Sequence, residues 1–152
     1  MSNYQSEKQL VLNYYQELDT ASKNDITKVM ERYLDVHYIW RGFHPFNEQS
    51  SSKEVSELFW QPLRHAFQHM QRRMDIFMAG QNEIDGFESV WVTSMGHLMG
   101  LFDNEWLGIN PTGKMIFLRY CEFNKVEGGK ITETAMFFDI PHLMIQVGLR
   151  PF

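Results

Sequence analysis

Apolar positions in the first part of the chain recur at helical spacing. Leu10, Val11, Tyr14, Tyr15 and Leu18 form one stripe and predict an amphipathic helix over about 5–21. Asn24 and Asp25 end it and cap a second helix over roughly 25–34, with Ile26, Val29, Met30 and Tyr33 inward. His37 to Arg41 reads as a short extended segment, and Gly42, Pro45 and Asn47 as a loop. Ser51 or Ser52 caps a third helix, whose stripe is Val55, Phe59, Leu63, Ala66 and Met70. Pro62 lies inside that stripe. It lacks an N–H and crowds the preceding turn, so a kink or restart is expected there.

From Arg72 onward the period shortens toward two. Strands are expected over 72–84, 89–102, 114–127 and 130–139, with a short closing helix over 141–147. Gly128–Gly129 joins the last two strands, and both glycines can take the positive φ that a tight hairpin requires. If Glu127 pairs with Lys130, alternation puts Leu118, Tyr120, Glu122, Ala135, Phe137 and Asp139 on one face. That face reads as the lining of a ligand cavity. Phe117, Phe123, Met136 and Phe138 fall on the other, which is apolar enough to predict a subunit interface. Helices first and antiparallel strands afterwards define an α+β class, with helices on one face of the sheet.

Composition narrows the function classes. The 152 residues fit one domain spanning 1–152, and 43% apolar with 14% aromatic residues suits a packed core. The formal charge is -5 without a Lys/Arg cluster, which argues against a nucleic-acid partner. No apolar run approaches the ~20 residues of a membrane span, and the polar start gives no sign of a signal peptide. The single cysteine, Cys121, fits a reducing compartment, so a cytoplasmic location is expected.

Three segments resemble one known family in order. Trp40-Arg41-Gly42-Phe43-His44-Pro45-Phe46-Asn47 is similar to the first-strand loop of SnoaL-like proteins, the polyketide cyclase group. Trp106-Leu107-Gly108-Ile109-Asn110-Pro111-Thr112-Gly113-Lys114 resembles their strand connection, and Gly129 to Glu133 with a later aspartate resembles their last strand. The resemblance implies a cone-shaped nuclear transport factor 2-like fold: a curved antiparallel sheet on three N-terminal helices around an internal cavity. It implies an oligomer (a homodimer or larger), a small hydrophobic molecule as ligand, and no metal or organic cofactor. It also puts the acid/base of an aldol-type cyclisation at Asp139. The family often has His-Trp after the last-strand glutamate, whereas Thr134-Ala135 follow Glu133 here, so a histidine role at that place is absent.

Asp139 has two readings, acid/base or N-cap of the closing helix. His97, amid apolar residues, is either a second catalytic group or a histidine satisfied in the core. Glu122 and His142 are candidates at the same cavity or its mouth, with Leu118, Tyr120 and Phe137 as walls. Arg41 and His44 in the first loop, with Trp40 and Trp106, complete the expected binding set. His65 and His69 have the i, i+4 spacing of a helical metal pair, but the sequence places no third ligand. The reaction expected is cofactor-free acid/base chemistry on a small hydrophobic carbonyl compound. A non-catalytic binding protein and an epoxide or lactone hydrolase are the alternatives.

Overall fold

The computed structural model describes residues 3–152. Helix α1 (Gln5–Thr20) leads into α2 (Ile26–Tyr33), then strand β1 (Leu34–Arg41) and the two-residue β2 (Glu48–Gln49). The third helix comes in pieces, α3 (Ser52–Val55), a π-helical turn (Ser56–Trp60) and α4 (Gln61–Ala66). The long strands β3 (Phe67–Gln81), β4 (Val90–Phe102), β5 (Met115–Glu127) and β6 (Lys130–Phe138) follow, with α5 (Ile140–Gln146) last.

The break expected at Pro62 is the π turn just before it, where Gln61 N–H bonds back to the carbonyl of Ser56. The third helix stops sooner than its stripe predicts. Phe67 pairs with Phe102 across β3 and β4, and their rings stack at 4.8 Å. Sheet pairing thus overrides helical periodicity from Phe67 onward, and Met70 is buried from a strand. His69 sits at φ 55 in the irregular stretch between Gln68 and Gln71, so the helical His65/His69 spacing does not exist.

The curved, unclosed sheet has six strands in the order β2-β1-β6-β5-β4-β3. All neighbours are antiparallel except β1 and β6, which run parallel. The helices cover its inner face, where Tyr15, Leu18, Phe59 and Leu63 pack with Leu98, Leu118 and Met136. Gly128 and Gly129 take φ 57 and 76, as the hairpin demands.

The register of that hairpin departs from expectation after two pairs. Glu127 faces Lys130 and Val126 faces Ile131, but Lys125 then faces Glu133. Thr132 is the extra residue of a bulge, and every later side chain of β6 changes face. Met136 is therefore buried inside, and Phe138 packs against the core. Phe137 is exposed outside at 44%, not beside Leu118 and Glu122 as alternation alone predicts.

Candidate functional site

Alternation on β5 turns Leu118, Tyr120, Glu122 and Asn124 inward and Arg119, Cys121 and Phe123 outward. Two polar constellations result, one on each side of the sheet.

The inner one centres on Glu122, which is 2% exposed. The Tyr15 hydroxyl, carried by α1, donates to its Oε1 in a short contact. Asn124 Nδ2 donates to Tyr15 Oη at 3.1 Å, and Thr134 Oγ1 donates to Asn124 Oδ1 at 2.7 Å. Arg72 enters from β3: its Nε donates to Asp19 Oδ2 at 2.9 Å, and its Nη1 lies 3.6 Å from Glu122 Oε1. The guanidinium rests over the Tyr15 ring at 3.7 Å. Burial pushes the Glu122 carboxyl up, against the downward pull of Arg72 and of the Tyr15 and Asn124 hydrogen bonds. Burial opposes the Arg72 charge as well, but Asp19, Tyr15 and Glu122 outweigh it and hold the group charged. Around Glu122 the place expected for a ligand is thus filled by the protein's own side chains.

The outer constellation lines a cleft of about 570 Å³. His97, Arg119 and Asp139 supply its polar groups, and Met95, Cys121 and Phe137 its apolar walls. Asp139 continues the ladder, its N–H donating to the Arg119 carbonyl at 3.0 Å, and Arg119 Nη1 is 3.9 Å from Asp139 Oδ2. Asp139 also caps α5, accepting from His142 N–H at 3.0 Å. Its side chain is 40% exposed, within reach of solvent. On the far side of the cleft His97 Nδ1 lies 3.6 Å from Asp75 Oδ2.

Several residues expected at one cavity are thereby separated. Glu122 and Asp139 serve opposite faces of the sheet, which overturns the shared pocket. Tyr120 presents only its backbone side to the cleft, because its hydroxyl bonds Ser94 inside at 2.6 Å. Leu118, Trp40 and Trp106 are core residues; Trp40 packs on Phe59 at 5.3 Å and Trp106 on Phe46 at 6.0 Å. Arg41 is held at the edge of β1 by Glu133 at 2.6 Å and Glu48 at 2.9 Å. His44 is exposed in its loop, and His142 turns its Nδ1 toward Gln146 at 3.1 Å. Of the expected set, His97, Asp139 and Phe137 meet in one cleft with the backbone of Tyr120.

Arg72, Asp19, Tyr15, Arg119 and Asp75 escaped sequence reasoning. One signal was present: Arg72 and Arg73 are neighbours in a strand, so one of them must turn inward.

No protein-family model matches the sequence, and no curated protein does. Solved structures match over nearly the whole chain. AclR of Streptomyces galilaeus, assigned as a hydroxylase, superposes at TM-score 0.75 with 18% identity, covering 99% of this chain and 85% of that one. IdmH of Streptomyces antibioticus, assigned as a polyketide cyclase, gives 0.73 and 14% over 95% and 99%. A protein of Jannaschia assigned as a SnoaL-like polyketide cyclase gives 0.73 and 16% over 100% and 97%. At such identities the likeness speaks to backbone arrangement alone, and by that arrangement the chain has the SnoaL-like, nuclear transport factor 2-like fold.

Proposed function

We propose that the protein performs cofactor-free acid/base chemistry on a small hydrophobic carbonyl compound bound at the outer cleft. Asp139 takes or returns the proton beside the carbonyl, Arg119 carries the charge that develops on the enolate oxygen, and His97 is the second group that handles protons. An aldol-type cyclisation or a proton-shifting isomerisation uses the same half-reaction. The observation that carries this reading is the convergence of Asp139, Arg119 and His97 on one accessible, otherwise apolar cleft. The cyclase names borne by structural neighbours agree with it. The buried Glu122 constellation is assigned to stability, since its carboxylate is held by Tyr15 and faces the Arg72 guanidinium inside the core.

Enolisation is measured without knowing the natural substrate. A panel of aryl ketones and β-keto esters in deuterated buffer reports it as loss of the α-proton NMR signal. Wild-type protein accelerates that exchange. Asp139→Asn retains the cap, because Asn caps about as well as Asp, yet exchange falls by ~10²–10⁴. Undiminished exchange in a folded Asp139→Asn protein removes Asp139 from the chemistry. Panel members that bind without any exchange make the cleft a binding site only.

A further inference from the structure

Strand β3 carries a second irregularity, beside the cleft residue His97. Met74 pairs with Gly96 and Ile76 with Met95, so Asp75 is an extra residue without a partner across the ladder. A bulge of this kind bends its strand and re-aims the side chain that it carries. At the same level β3 and β4 come unusually close: a Cβ on Gly96 would lie 1.9 Å from the Arg73 carbonyl oxygen. Only glycine permits that approach. His97 is the next residue, and the re-aimed Asp75 is the carboxylate that meets it, Oδ2 to Nδ1 at 3.6 Å.

The other groups around His97 leave its second nitrogen unclaimed. Arg73 and Arg119 are its partners in register, and both are cations that offer no acceptor to an imidazole N–H. Arg73 is itself drawn to Asp75, Nε to Oδ1 at 3.4 Å. Phe117 stands edge-on to the ring at 6.2 Å and 88°, limiting its tilt. Among the described residues Asp75 is the one carboxylate within ion-pair reach of the ring.

We infer that Asp75 is a positioning residue that fixes the His97 imidazole with Nδ1–H toward its own carboxylate and bare Nε2 toward the cleft. A carboxylate that orients a histidine in this way also sets its tautomer, which decides whether the outward nitrogen accepts or donates. The cleft then holds a nitrogen base beside Arg119 in addition to the Asp139 carboxylate. The use of that base in catalysis rests on the acid/base reading above; the orientation itself does not.

The tautomer is read directly from long-range ¹H–¹⁵N correlation spectra of the imidazoles, recorded with the rings neutral. His97 is identified by the signal lost in His97→Gln. In wild type, Nδ1 is expected to be the protonated nitrogen and Nε2 the bare one, the reverse of the free side chain's preference. Asp75→Ala is expected to return His97 to the Nε2–H form while leaving the other histidines unchanged; Asp75→Ser serves if the alanine variant does not fold. An Nε2–H ring in wild type, or a ring unmoved by loss of Asp75, overturns the inference. The deuterium-exchange assay answers separately. Asp75→Ala is expected to lower kcat at least tenfold with KM little changed. A chain without any exchange activity overturns the acid/base reading and still leaves the tautomer measurable.

Discussion

Glu122 carries a proton more readily in the folded chain than in the unfolded one, because burial raises its pKa. A raised carboxyl pKa gives stability that is fully present below the unfolded value, near 4.3, and is lost as pH rises through the folded value. Glu122→Gln keeps the shape and never ionises, so the variant is expected to gain on wild type as pH rises from about 4 to about 8. Urea midpoints across that range measure it, and a constant difference between the two proteins would show that Glu122 does not titrate differently on folding. The inward orientation of Glu122 was legible from alternation along β5. Its partners were not, because Tyr15 and Asp19 come from a helix, and Arg72 from a different strand, more than a hundred and about fifty residues away in sequence.

Among elements, the pairing of β3 with β4 has the least tolerance. A methyl added at Gly96 meets a carbonyl of the neighbouring backbone, which cannot swing aside as a side-chain tip does. Gly96→Ala is expected to cost about 1–3 kcal/mol and to broaden the His97 signals, whereas Gly80→Ala on the same strand pair meets nothing within 4 Å and costs little. Denaturant unfolding of the two variants checks this, and equal losses would mean that the close approach is not a constraint. Most element positions followed from the sequence, since helical stripes and the Gly128–Gly129 turn are local signals. The bulges at Thr132 and Asp75 did not, because an extra residue leaves the run of β-forming side chains unbroken while it inverts the faces. That is why Phe137 and Phe138 exchanged the outer and inner faces of the sheet.

At the scale of the whole molecule, the outer sheet face exposes a run of large apolar side chains. Met78, Trp91, Phe123 and Phe137 line a second cleft of about 570 Å³ beside the first, and Phe43 stacks on Phe137 at 4.2 Å. A second copy of the chain seated here would have an apolar centre, with Arg119, Asp139 and Asp75 at its polar rim. Sedimentation equilibrium at micromolar concentration is expected to find a homodimer or larger. Phe123→Glu, which places an unpaired charge in that centre, is expected to shift it toward monomer; a wild-type monomer would refute the assembly. The order of strands carries a separate consequence, for the making of the protein. The last strand, β6, lies between β1 and β5 and is the bridge between them. Until residues 130–138 leave the ribosome, β1 and β5 each keep an unpaired edge and no strand joins the two parts of the sheet. Folding must therefore wait for nearly the entire chain, and a product truncated after Gly129 exposes both edges as templates for aggregation.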